Sequence, residues 1–151
     1  FRQALQAAGL ELLPEWLLPG AFEMEAGLAA AQLFMQIDNR PTAVFAANDE
    51  SAIGFISGLR GHGLDCPGDV SVVGFDDLTL AAHVWPPLTT MRQPRAALGR
   101  IAAGTLIDII EGERHNRVPM YMVLSSELII RGSTGPAPAS PEAHSPMLAA
   151  Q

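Results

Sequence analysis

Apolar residues along this chain follow two alternating rhythms. Glu25–Ile37 sets Ala26, Ala30, Leu33, Phe34 and Ile37 at helical spacing, and Glu50–His62 does the same with Ala52, Ile53, Ile56 and Leu59. Arg95–Glu111 is a third such stretch, with Leu98, Ile101, Ala102, Leu106 and Ile109 on one side and Gly112 as its stop. Between these lie short runs that are wholly or largely apolar. Ala43–Ala46 is bounded by Thr42 and Asn48-Asp49, and Val70–Phe75 stops at Asp76-Asp77. Such runs suit strands buried on both faces. Residues 1–9 read as a helix end closed by Gly9. Leu10–Leu13 and Trp16–Leu18 are apolar runs broken by Pro14, and the second reads as a strand leading into Pro19-Gly20. Three prolines in Trp85–Pro94 (Pro86, Pro87 and Pro94) predict an extended connector there rather than a helix. Val123–Ile130, with Glu127 in its middle, reads as a last strand.

Strand, helix, strand, helix, strand predicts an α/β domain: a parallel sheet flanked by helices. In such sheets ligands bind beyond the carboxyl ends of the strands. Three loops are expected to leave those ends, Pro19–Phe22, Ala47–Asp49 and Asp76–Leu80. From Gly132 onward Pro, Ala, Ser and Gly dominate, so the domain is expected to cover 1–131 and a disordered tail 132–151.

Composition narrows the function classes. The formal net charge is -7, Lys is absent, and the arginines are scattered, so direct DNA binding by this segment is improbable. Cys66 is the single cysteine, which excludes an internal disulfide and suits a reducing compartment. No apolar run approaches the ~20 residues that span a bilayer. Phe1 falls inside what reads as a helix, which points to a fragment. Catalysis has little support. His62, His83, His115 and His144 show no metal-ligand spacing, no nucleophile elbow is present, and adjacent Asp76 and Asp77 diverge on an extended chain. No metal or cofactor is expected.

The segments RPTAVFAAND (Arg40–Asp49), CPGDVSVVGFDD (Cys66–Asp77), PPLTTMRQP (Pro86–Pro94) and ELIIRGST (Glu127–Thr134) resemble those of LacI/GalR-family transcriptional regulators, in the family's order and spacing. With GAFEMEAG (Gly20–Gly27), the resemblance covers roughly residues 1–134. ELIIRGST and TTMRQPR are most similar to the cytidine-repressor branch. The resemblance implies the C-terminal lobe of a type I periplasmic-binding-protein-like sensor domain, with the N-terminal lobe mostly missing and the helix-turn-helix headpiece absent. It also implies that helix Arg95–Glu111 packs back onto that other lobe. Here its apolar stripe would be exposed or covered by another chain.

Each candidate site residue has a structural alternative. The resemblance makes Asp76 the acceptor for an effector's hydroxyl or ring N–H groups, which a carboxylate suits; otherwise it is a turn former. Asp77 reads as a turn or cap. Asn48 resembles a sugar-contacting position. Asp49 reads chiefly as the N-cap of the following helix, and as a lesser effector contact. Phe22 matches a position whose ring stacks on a base or sugar, the alternative being a core ring under a loop. Arg95 either reaches into the cleft or is solvated. Phe55, Ile56, Leu59 and Trp85 are candidate anchors of a homodimer interface, or plain core.

The function implied is sensing of a small-molecule effector, a sugar or a nucleoside, in a cytoplasmic repressor that touches DNA only through the missing headpiece and has no membrane contact. The alternatives are a solute-binding protein of a sugar transporter on the same fold, an enzyme that borrowed the fold, and a truncated product without function. The residues upstream of Phe1 separate the first two, as a secretion signal or a helix-turn-helix. With half a cleft, effector binding no tighter than millimolar is expected.

Overall fold

The computed structural model describes residues 1–112 and 121–137. Helix α1 (Arg2–Ala7) is followed by a 3-10 turn at Pro14–Trp16, then α2 (Met24–Phe34), β1 (Ala43–Phe45), α3 (Asp49–Gly61), β2 (Ser71–Asp76), β3 (Thr89–Arg92), α4 (Arg95–Ile110) and β4 (Glu127–Ile129). The strands form one sheet in the order β1-β2-β3-β4. β1, β2 and β3 run parallel, with Val44 beside Val72 and Val73 beside Thr89. β4 returns antiparallel, with Met91 beside Leu128, so the expected parallel sheet is mixed at that edge. The proline-rich connector is thus an internal strand from Thr89 onward, where its prolines end.

Trp16–Leu18, expected as a strand, is not one. Pro14 starts a single 3-10 turn instead, and the Trp16 indole N–H donates to the Asn39 carbonyl at 2.9 Å. Pro19 has no N–H to offer a neighbouring strand, which weakens any ladder there. The expected tail also begins too early. Buried Ser133 donates through its hydroxyl to the Val72 carbonyl (2.6 Å) and accepts from the Thr89 N–H (2.8 Å). The Gly135 N–H reaches Ser71 Oγ at 3.1 Å. Gly132–Gly135 is therefore stitched across the sheet, and the proposed tail shrinks to residues beyond it. Residues 138–151 lie outside the described residues.

The core sits between α2, α3 and the sheet. Phe34, Leu59, Val72 and Leu88 are fully buried, and Phe34 meets Phe55 edge to face at 5.4 Å. α2 and α3 approach through glycine. A side chain on Gly27 would strike the Ser51 carbonyl, and one on Gly54 the Met24 carbonyl. This contact fixes the start of α3 against the loop that enters α2. α4 stands apart in packing, with no buried residue and with Leu106, Ile107, Ile109 and Ile110 exposed.

Candidate effector site at the carboxyl edge of the sheet

Three acidic residues gather where β1, β2 and β3 end, and their surroundings divide them sharply. Asp49 opens α3 and is fully buried. One carboxylate oxygen accepts from the Thr90 hydroxyl at 2.5 Å, the other from the Leu78 N–H at 2.7 Å. The group lies against Gly74 of β2, where a side chain would collide with it. The carboxylate therefore ties α3 to β2, β3 and the following loop. It is not the N-cap and not an effector contact, because both oxygens are engaged inside the protein.

The N-cap is Asn48. Its Oδ1 accepts from the Ser51 N–H (2.9 Å), while Ser51 Oγ accepts from the Asn48 N–H (3.4 Å), closing a capping box. Its Nδ2 donates to the Phe22 carbonyl at 2.8 Å. One amide thus starts α3 and pins the loop carrying Phe22. Phe22 adopts a left-handed backbone (φ 59) and its ring is 63% exposed, so it is no core residue.

Asp76 and Asp77 end β2 with positive φ, 117 and 55. For residues with a Cβ this conformation is costly, and it turns the two side chains apart. Asp77 lies in the turn, as expected, and is also an ion-pair hub. It accepts from Arg92 Nε at 2.6 Å and from Arg131 at 2.5 Å. Arg92 also reaches Glu127 at 3.3 Å, directly across the β3–β4 pair. Burial opposes charge on Asp77, but the hydrogen bonds and charges of Arg131 and Arg92 outweigh it and hold the carboxyl below its ordinary range. Asp76, half-buried, has a lighter load. Among the described residues its carboxylate accepts one hydrogen bond, from the neutral Gln93 amide at 2.5 Å.

Phe22, Asn48 and Asp76 thus share one edge of the sheet, the first two in contact. Arg95 is exposed at the start of α4, just past that edge, and its N–H donates to the Gln93 carbonyl at 2.8 Å. A cavity of about 750 Å³ lies elsewhere, between the N-terminal segment and β1. Its lining includes Phe22 but neither Asn48 nor Asp76, and is largely Leu, Phe and Ala. Its polar side chains are Glu11, Thr42 and Ser51, set among apolar residues, whereas the carboxyl edge gathers Asn48, Asp76 and Gln93. Phe55, Ile56 and Leu59 are 3%, 4% and 0% exposed, buried in the chain's own core, and cannot anchor a partner chain. Trp85 is 77% exposed. Gln93, Thr90, Arg92 and Arg131 escape a reading by sequence, because their roles arise from pairing across strands.

The profile of the periplasmic binding protein-like domain matches residues 1–134. The chain belongs to that family. Within it, the relatives are LacI-type regulators, as the motifs imply. The HTH-type transcriptional repressor PurR of Vibrio cholerae serotype O1 is 40% identical over 117 residues, covering 78% of this chain and 35% of the relative. The repressor CytR of Escherichia coli K12 is 40% identical over 136 residues, covering 90% and 39%. PurR and CytR therefore stand at the same identity. Among solved structures, a regulator CelR in complex with cellobiose superposes with TM-score 0.81 at 39% identity, over 87% of this chain and 40% of that one. A LacI-type regulator from Bacillus cereus subsp. cytotoxis gives 0.82 at 30%, over 89% and 47%. The chain spans less than half the length of these regulators, and this periplasmic-binding-protein-like unit is the part it shares with them. Among the described residues no helix is long and apolar enough to cross a membrane, and no cluster of acidic, His and Cys side chains could hold a metal ion.

Proposed function

We propose that this chain is the effector-sensing portion of a LacI-type transcriptional repressor, working in the cytoplasm on a sugar or a nucleoside and doing no catalysis. One observation carries the reading: at an edge where Asp49 and Asp77 are consumed by structural bonds, Asp76 holds a half-buried carboxylate bonded to a neutral amide. An ionised carboxylate accepts from several donors at once, which suits hydroxyl and ring N–H groups. Phe22 offers an exposed ring for the flat face of a base or sugar. Asn48 acts by fixing that ring's loop rather than through its own amide, which is spent on the cap and on the Phe22 carbonyl. Arg95 is placed to meet the ligand from the α4 side. The relatives support the class, since they are the transcriptional repressors PurR and CytR and a regulator solved in complex with cellobiose. Trp85, exposed on the loop after β2, is the residue we assign to a homodimer contact.

The test is a ¹H–¹⁵N titration of the chain with cytidine, hypoxanthine and cellobiose at millimolar concentration. Shifts centred on Phe22 and Asp76, lost in Asp76→Ala, are expected with one of them. Silence at that edge with all three refutes the reading. A micromolar constant would refute the narrower expectation that a second lobe is needed for tight binding.

A further inference from the structure

Asp76 is already occupied. Its Oδ1 takes the Gln93 Nε2 donor at 2.5 Å, a contact between the end of β2 and the residue that follows β3. Gln93 sits between Arg92, the last residue of β3, and Pro94-Arg95, where α4 starts, and its carbonyl accepts the Arg95 N–H at 2.8 Å. One residue therefore joins the proposed effector acceptor to the root of α4. The neighbouring contacts differ in kind. Arg92 and Arg131 are held on Asp77 by charge-assisted bonds that do not involve Asp76. These keep β3, β4 and the end of β2 together whatever happens at Asp76. The amide–carboxylate bond has a neutral donor, so it is the weaker of the two kinds and the one an incoming hydroxyl or N–H can replace. Beyond it, α4 has no buried residue to fix its own direction.

We propose that Gln93 is a stand-in for the ligand on Asp76 and the lever by which occupancy reaches α4. A ligand donor takes the carboxylate, the Gln93 amide lets go, and the first turn of α4 is released from β2. The ligand class is that of the proposed function, on whose reading of Asp76 this inference rests: a molecule with clustered hydroxyl or ring N–H donors. No proton is transferred; one hydrogen bond is exchanged for another.

The experiment follows the Gln93 side-chain NH₂ pair in the ¹⁵N-labelled full chain while cytidine or cellobiose is added, beside the variants Gln93→Met and Gln93→Glu. Methionine keeps the length without a donor, and glutamate sets a second carboxylate against Asp76. The probe that shifts the Asp76 amide is expected to move the Gln93 NH₂ pair to solvent-like positions and to shift Ala96 and Ala97. In Gln93→Met its affinity rises about tenfold or more, the equivalent of one amide-to-carboxylate hydrogen bond no longer competed for, and Ala96 and Ala97 stop responding. In Gln93→Glu those two amides stand at their ligand-displaced positions before any probe is added. A probe that binds at Asp76 while the Gln93 pair stays still, or that binds Gln93→Met no better, overturns the lever and leaves the acceptor role intact. No response at Asp76 in either the natural chain or Gln93→Met overturns the acceptor role and the lever together.

Discussion

Replacing Asp49 by alanine should be among the most damaging single changes available at this edge. The carboxylate is fully buried and satisfies two donors, the Thr90 hydroxyl and the Leu78 N–H. Alanine leaves both without an acceptor. An orphaned buried donor costs about 1–3 kcal/mol, so the pair costs about 4 kcal/mol in all. Against a urea slope of about 1.5 kcal/mol per molar, the midpoint falls by roughly 2.5 M. Asp49→Asn should cost only about 1 kcal/mol, since its carbonyl still takes the Leu78 N–H and its amide can donate to Thr90 Oγ1. Thr90→Val removes one donor and should cost about 1–2 kcal/mol. Asp49→Ala with Thr90→Val should be less harmful than the sum by about 1 kcal/mol or more, because valine removes a group that alanine would have stranded. Urea unfolding followed by Trp16 and Trp85 fluorescence reads all four. Strict additivity, or an Asp49→Ala cost under about 1 kcal/mol, would show that the carboxylate is not the tie described here.

Gly27→Ala and Gly54→Ala should each destabilise by about 1–3 kcal/mol, because the new methyl meets backbone of the facing helix rather than a movable side chain. Gly61→Ala, with open space around it, is the control and should be neutral or slightly stabilising in the same thermal melts. Asp77 is held below the ordinary carboxylate range in the folded chain, so its contribution is complete above the unfolded value of about 4 and is lost as pH falls through the lowered folded value. Asp77→Asn should accordingly be less stable at neutral pH and show a flatter decline on the acid side; a parallel decline would contradict the linkage. Burial pushes the Cys66 thiol up to about 11 from 9.0. At pH 8 that cuts its thiolate fraction by about 100-fold, so a disulfide reagent should label it slowly until urea unfolds the chain. Its stability contribution runs the other way in pH, intact below 9 and lost on rising towards 11.

Much of the fold was legible because burial leaves a periodic mark. The stripes on α2 and α3 and the run of β2 state which faces are covered, whereas β1, expected to be buried on both faces, lies at the sheet edge with Ala43 and Phe45 exposed, and α4 buries none of its stripe. Local chemistry was harder to assign to the right residue. Asn48-Asp49 signals a helix start, but whether the first or second residue caps depends on where the backbone turns. The turn falls at Asn48, which frees Asp49 to point inward. Trp16–Leu18 failed because an apolar run beside two prolines has the composition of a strand without the N–H pattern of one. Gly132–Gly135 failed for the opposite reason. Its composition is that of a tail, and what orders Ser133 is its partners across the sheet, the Thr89 N–H, the N–H and carbonyl of Val72 and the Cys66 thiol. The interface residues Phe55, Ile56 and Leu59 show that a large apolar side chain on a helix does not reveal which neighbour it meets.

The division of labour among the three aspartates follows from strand geometry more than from residue type. Asp49 enters from β1's side of the edge and lands over Gly74, the one position in β2 where absence of a side chain leaves room for a carboxylate. Its burial there obliges donors, and Thr90 and Leu78 provide them. Asp77 faces β3 and β4, whose register sets Arg92 against Glu127 and leaves Arg92 and Arg131 to share its two oxygens. The left-handed turn at the end of β2 then leaves Asp76 on its own, with a neutral amide as its partner. A buried carboxylate served by two fixed donors, or one paired with two guanidinium groups, has little to gain from a new ligand. One bonded to a replaceable amide has much to gain. The left-handed turn at Asp76 and Asp77 is therefore what sets two structural struts apart from the carboxylate we propose as the receptor.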